Sequence, residues 1–196
     1  MPKVSASHKL AQRERILDAT LSCFQQKGYH GTSVSDISVE AGVSAGTIYN
    51  YFSGKQEVVR EVALNLLEDA RDEFAARRLA HTLTPAEVAR TILAGFSPPA
   101  LDALLVQLNA ESTRDPQLGA IMREVLEAVR QTIAGALADW AAEHPDRVSN
   151  DPDVWGMRVA PVIASLAAGF LLQRALCDDF DTEGFLQALS LILPAD

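Results

Sequence analysis

The sequence predicts an all-α fold in two unequal parts, a small N-terminal head over residues 1–54 and a larger helical body over 55–196, with about nine helices in all. Three observations carry this. Apolar residues recur at helical spacing, and no segment combines period-two alternation with turn glycines, so strands are not expected. Helix-start signals recur along the chain: Ser or Thr three residues ahead of an acid or amide, or Asp directly ahead of proline. The charge is also divided. The net −9 splits into +2 over residues 1–60, from seven Lys/Arg and five Asp/Glu, and −11 over the remainder. Affinity for phosphate is therefore possible only at the N-terminal end, and the acidic remainder should point away from any polyanion.

The first helix runs from about His8 to Lys27, with Leu17, Leu21 and Phe24 on one stripe, and Gly28 ends it. Ser33-x-x-Asp36 has the form of a capping box and opens a second helix reaching about Ala41. Gly42-Val43-Ser44 forms a tight hinge, and Ser44 caps a short third helix from Ala45 to Tyr51. Ser53-x-x-Gln56 repeats the box at the start of a long helix to about Arg78. Thr84-Pro85-Ala86-Glu87 repeats it again, with proline at the favoured first position. Asp115-Pro116 and Asp151-Pro152 each set an N-cap before a proline and begin two more helices. The second of these contains Pro161, which predicts a kink near Met157. A last helix follows Asp181 or Thr182 and aligns Phe185, Leu189 and Ile192 on one face. With no Gly/Ser linker present, the helix from Ser53 joins head to body directly and can carry a displacement between them.

The segment Gly31 to Lys55, GTSVSDISVEAGVSAGTIYNYFSGK, carries the functional signal. Its second helix bears small, amide and tyrosine side chains where a surface helix usually bears Lys and Glu. A supporting helix, a tight turn and a slim second helix make a helix-turn-helix, the layout that fits a DNA major groove. Asn50 can offer donor and acceptor to adenine, and the methyls of Ala45 and Thr47 can meet a thymine methyl. Gly46 lets the backbone approach the phosphates, and the hydroxyls of Thr32, Ser33, Ser44, Tyr49 and Tyr51 can bond phosphate oxygens. Lys55 adds a cation to the positive end of the next helix, so a phosphate is its natural partner. Val43 and Phe52 suit the head's own core, while Tyr49 suits both roles. Burial of Thr47, Asn50 or Tyr51 would strand polar groups, so these three are assigned to DNA.

From about Arg13 to about Val58 the chain resembles the N-terminal domain of the TetR family of bacterial repressors. The resemblance rests on Ile16, Leu17, Ala19, Phe24, Gly28, Thr32, Ile37, Ala41, Gly42, Val43, Ser44, Gly46, Thr47, Tyr49, Tyr51, Phe52 and Lys55 at fixed spacing. Ser38 stands where alanine is usual, and Val58-Val59 replaces leucines. The resemblance implies that the positions named above clamp the DNA backbone and read bases, with Asn50 at a variable position. The phrase from Glu111 to Leu118, ESTRDPQL, has a short resemblance to BetI-like or AcrR-like members of that family.

The body reads as a sensor and dimer module. Val159 to Leu172 is apolar on every face, more than packing on one core requires, and the amphipathic helix Phe185 to Leu193 follows it. Two such helices from each of two chains would form a four-helix interface, with Ile163, Leu166, Phe170, Phe185, Leu189 and Ile192 as candidates. A helix buried at the centre of a monomer is the competing reading. A mostly apolar ligand pocket is expected between Thr84 and Leu172, lined by Phe96, Gln107, Glu111, Met122, Gln131, Trp155 and Arg158. Glu111 continues the stripe of Leu104 and Leu108 and could face inward, or could pair with Arg114.

Enzymatic, metal and cofactor chemistry find no support in the sequence. His8, His30, His81 and His144 stand singly, none at ligand spacing, and there is no Gly-rich phosphate loop. Cys23 beside the apolar stripe reads as core filler, whereas Cys177 near a helix end is a candidate redox sensor. Two distant cysteines and a polar Met1–Lys9 fit a cytoplasmic protein with no signal peptide, and the uncharged run Val159–Gln173 is short for a membrane span. The expected function is a homodimeric, sequence-specific transcriptional regulator, a repressor released from operator DNA by a small apolar effector. The alternatives are a redox-sensing regulator and a helical ligand-binding protein with a vestigial DNA head.

Overall fold

A computed structural model describes residues 6–78, 81–95, 102–148 and 150–195, which contain nine α-helices and no strand. In chain order they are α1 (Ala6–Gly31), α2 (Val34–Ala41), α3 (Ala45–Tyr49), α4 (Lys55–Arg78), α5 (Pro85–Gly95), α6 (Asp102–Glu111), α7 (Pro116–Glu143), α8 (Pro152–Leu176) and α9 (Thr182–Ile192).

The caps follow the sequence at most starts. Ser33 and Asp36 form the reciprocal capping box of α2, and Ser44 Oγ accepts from Thr47 N–H at the start of α3. Thr84 and Glu87 exchange bonds at the start of α5, and Asp115, Asp151 and Asp181 cap α7, α8 and α9. Three expectations change. Gly28 does not end α1 but breaks it: at φ 71° it adopts a conformation side chains resist, and one more helical turn follows to Gly31. The box at Ser53 closes on Glu57 rather than Gln56, because α4 begins two residues after Ser53 and the Ser53 N–H donates to Glu57 Oε2. Helix α3 stops at Tyr49, with Asn50 as its C-cap and Tyr51 in a turn. Pro161 lies inside α8, which passes through it unbroken.

The head has its own core, in which Ile16, Leu17, Cys23, Ile37, Ile48 and Phe52 pack with Val58 of α4. The 54/55 boundary thus falls at the start of a helix that both parts share. Ion pairs from Arg13 to Glu61 and from Arg60 to Glu124 tie α4 to α1 on one side and to α7 on the other. Gly42, at φ 63°, takes the left-handed conformation that turns α2 into α3.

In the body, α5, α7, α8 and α9 enclose the main core around Val88, Ile92, Ile133, Leu137, Ile163 and Phe170. Gly156 lets α8 lie directly on α7, since a Cβ there would fall 2.5 Å from Ala134 O. By length and composition α8 could cross a membrane, yet Ile163, Ala167 and Phe170 belong to this core. A third cluster joins the two parts: Phe24 and Tyr29 of α1, Val59 of α4, Leu104 and Leu108 of α6, and Leu118 of α7.

Candidate nucleic-acid interface and effector cavity

Helix α3 presents Gly46, Tyr49 and Asn50 to solvent, with Ala45 and Thr47 half-buried and Ile48 holding the helix to the head's core. Tyr49 is 57% exposed, a large aromatic ring with a hydroxyl that nothing in the head requires. This face carries no charge. It suits hydrogen bonding and methyl contact with base edges rather than ion pairing. Ser44 Oγ and Thr47 Oγ1 lie 2.9 Å apart at the N-terminus of α3. Phe52 is buried and Val43 half-buried against the same core, as expected.

Besides the Ser44–Thr47 pair at the start of α3, four of the ten expected DNA residues are engaged within the head. Thr32 is 2% exposed, and its hydroxyl donates to Cys23 O at 3.1 Å and Gly28 O at 2.9 Å. That hydroxyl satisfies carbonyls left open where Gly28 interrupts α1, so it is not free for a phosphate. The Ser33 hydroxyl is committed to the Asp36 box. Tyr51 donates its hydroxyl to Gln12 Oε1 at 3.1 Å, bracing the turn after α3 against α1. Lys55 turns inward. Its ammonium donates to Tyr29 O at 2.9 Å and Thr32 O at 3.4 Å and sits 4.2 Å from the centre of the Tyr29 ring. A cation at the carbonyl end of α1 complements the helix dipole. Burial pulls the Lys55 pKa down, against the carboxylates of Glu111 and Asp115, which pull it up. The sequence singled out Lys55 for a phosphate, but could not show that its partners within the protomer are backbone carbonyls.

Head and body meet where α1 ends. Tyr29 N–H donates to Gln107 Oε1 at 3.3 Å, and His30 Nε2 lies 2.7 Å from Glu111 Oε2. Burial, with Asp115 and Glu111 nearby, pushes the Tyr29 hydroxyl up to about 12. Glu111 therefore neither faces a pocket nor pairs with Arg114; it holds α6 to the head.

Beside this contact lies a cavity of about 300 Å³ between α1, α4, α6, α7 and α8. Its walls are mostly apolar, and Leu21, Phe24, Val59 and Val62 bring the head's side of the seam into the lining. Of the expected pocket residues, only Met122 lines it. Gln107 and Glu111 face the head; Gln131 bonds Glu127 and lines a separate, more open cavity of about 330 Å³ between α4 and α7, beside Arg71, Phe74 and Thr132; Trp155 packs 5.6 Å from Trp140; Arg158 is exposed on α8. Phe96 lies outside the described residues. Apolar spacing could mark the walls but not which helices separate to leave a gap.

The expected interface residues also divide. Ile163, Phe170 and Leu189 are buried in the protomer's own core, and Leu166 and Phe185 pack against it. Ile192 is exposed, together with Val162, Leu172 and Leu176 of α8 and Leu191 of α9. The outward stripe of α8 is thus offset by one residue from the expected one. Cys23 is buried and Cys177 is exposed at the C-cap of α8. Among the described residues no group of three metal-ligating side chains occurs.

Comparison with known proteins agrees with this geometry. Residues 16–62 match the family described as bacterial regulatory proteins, tetR family. The HTH-type transcriptional regulator BetI of Paraburkholderia phymatum is 27% identical over 194 residues, covering 95% of this chain and 92% of that protein. The HTH-type transcriptional regulator UidR of Escherichia coli K12 is 24% identical over 181 residues, covering 92% and 90%. Among solved structures, Salmonella enterica GusR shares the fold at a TM-score of 0.71 and 21% identity, covering 98% of this chain and 99% of that one. A TetR-family regulator from Syntrophomonas wolfei does so at 0.78 and 16%, covering 94% and 93%. The exposed, uncharged α3 on a helix-turn-helix head, the helical body and these relatives lead to one conclusion: the chain carries a tetR-family head over residues 16–62, is similar along its length to regulators of that family, and is a DNA-binding transcriptional regulator.

Proposed function

We propose that this regulator is a cytoplasmic homodimeric repressor that leaves its operator when a small, mostly apolar molecule enters the cavity at the seam of head and body. The observation that carries this reading is the cavity's lining: residues of α1 and α4 face residues of α6, α7 and α8 across one space. A molecule filling that space contacts the head directly, so its binding energy depends on how the head is set against the body. A ligand that favours a different setting in each protomer changes the spacing of two α3 helices and weakens binding to paired half-sites.

Regulators of this family bind operator DNA as homodimers. The exposed stripe of Val162, Leu172 and Leu176 on α8, with Leu191 and Ile192 on α9, supplies a surface for the second copy. On the DNA side we assign base reading to Ala45, Thr47, Tyr49 and Asn50. The phosphate contacts go to the start of α3 at Ser44 and Gly46, with any remaining donor of Lys55 beside them.

The test is thermodynamic. A duplex selected from random DNA by the full-length protein is titrated with and without a compound that binds the cavity. A coupling of about 1–3 kcal/mol would lower DNA affinity roughly 5–150-fold, and DNA must weaken the compound by the same factor. A compound that fills the cavity and leaves DNA affinity unchanged would refute the reading.

A further inference from the structure

The lining of the seam cavity is uneven in its chemistry. Nearly all of it is Leu, Val, Ala, Phe and Met, and its one charged member among the described residues is Arg123 of α7. The guanidinium folds back along its own helix over Gly119, where a Cβ would lie 3.4 Å from an Arg123 Nη1. No side chain among the described residues pairs with it. Its neighbours in the lining are Asn109 and Ser112, the only other polar side chains there among the described residues.

The nearby anionic groups are already committed. Glu111 is held by His30, and Asp115 accepts from the N–H groups of Gln117 and Leu118. The carbonyls at the C-terminal end of α6 are also occupied. Leu108 O and Asn109 O accept from the Ser112 N–H and hydroxyl, Ala110 O from Thr113, and Glu111 O from Arg114 and Asp115. What remains at this end of the cavity is an unpaired positive charge beside an apolar chamber. Arginine at such a position favours a planar anion that can take two parallel N–H bonds.

At liquid density, about 30 Å³ per water-sized group, 300 Å³ holds roughly ten non-hydrogen atoms. We propose that the effector is an amphipathic monocarboxylate, with a compact body of about eight carbons in the apolar chamber and its carboxylate on Arg123. This rests on the seam cavity being the effector site. It adds the class of molecule and the residue that selects it. The chamber supplies affinity, and Arg123 supplies discrimination between an acid and a neutral molecule of the same length.

The test compares octanoate with 1-octanol by calorimetry on the full-length protein, as wild type, Arg123→Ala and Leu105→Trp. Leu105 lines the cavity and is half-buried, so the larger ring occupies the chamber without removing a core contact. The expected result is octanoate binding at one per protomer, weakened about tenfold or more by Arg123→Ala and abolished by Leu105→Trp, while 1-octanol is indifferent to Arg123→Ala. Equal wild-type affinity for the two, or no change with Arg123→Ala, overturns the carboxylate assignment but leaves the cavity as an apolar site. Octanoate binding that survives Leu105→Trp in a folded protein overturns the location. Failure of both compounds to bind wild type overturns the carboxylate assignment and counts against the cavity reading with it.

Discussion

Arg174→Met tests what holds α6 against the cavity. Asp102, the first described residue of α6, is 1% exposed, and its carboxylate is gripped by Arg174 of α8 through Nε to Oδ2 and through Nη2 to Oδ1 at 2.6 Å. The arginine side chain is itself only 13% exposed and stacks 5.0 Å from the Phe170 ring. Methionine keeps much of the apolar stem and removes the charge that grips the buried Asp102 carboxylate. Breaking such a pair costs about 3–5 kcal/mol. The position of Asp102 at the start of a helix recovers up to about 1 kcal/mol through the dipole, which points to the lower end, about 3 kcal/mol. At fixed protomer concentration that is a fall of roughly 6–12 °C in melting temperature. The double variant Asp102→Leu/Arg174→Met removes both charges and should recover most of the loss, with a coupling of at least about 2 kcal/mol in a denaturant cycle. Because α6 supplies Leu104, Leu105 and Leu108 to the cavity and Glu111 to the head, the single variant should also weaken the link between ligand and DNA. A loss under about 1 kcal/mol for Arg174→Met, or a double variant as unstable as the sum of the singles, would refute the reasoning.

Three further outcomes follow from the same contacts. Lys55→Ala removes the cation from Tyr29 O and Thr32 O, so it should destabilise the head by about 1–2 kcal/mol as well as weaken all DNA sequences alike; amide exchange in α1 and α2 reads the first effect, and unchanged protection there would return Lys55 to a purely external role. Val162→Glu with Leu172→Glu should give a folded monomer by sedimentation, whereas Ile163→Glu should unfold the protomer by burying a charge; a folded dimer from the first would place the interface elsewhere. Acid should loosen the helix starts: Asp36 is held below the usual carboxylate range by the Lys27 ammonium and Ser33, Glu57 by the Ser53 N–H, and Asp115 by the Leu118 N–H. Each has a lower pKa folded than unfolded, so its contribution is complete above the unfolded value and is lost as pH falls below about 4. Circular dichroism melts between pH 6 and pH 2 measure this, and a flat melting temperature across that range would contradict it.

The helix starts were legible because capping is local: Ser33 with Asp36, Thr84 with Glu87, and Asp115 ahead of Pro116 need no tertiary information. The exposed face of α3 was legible for the same reason, since Tyr49 and Asn50 stand where a five-residue helix offers no core to hide them. What could not be read is which of two faces an apolar helix buries. Leu166 and Phe170 sit on the inner side of α8 and Val162 and Leu172 on the outer, a difference fixed by Gly156 resting on Ala134 and not by hydrophobicity. The same holds for Thr32 and Lys55, whose partners are carbonyls around the end of α1. The link from Glu111 to His30 spans 81 residues, and the cavity is a space between five helices; neither leaves a mark at any one position.

The central claim is that two α3 faces read DNA while a few cationic and hydroxyl groups clamp its backbone. Fluorescence anisotropy of a selected duplex, titrated from about 50 to 200 mM KCl with wild type and Asn50→Ala, tests it most directly. About three to five neutralised phosphates per protomer predict a log–log slope near −5 to −9 for the dimer. Asn50→Ala should keep that slope and lose roughly 1–3 kcal/mol of preference at one base pair in each half-site. A slope near zero, or an Asn50→Ala variant with the wild-type sequence preference at every position, would contradict the account.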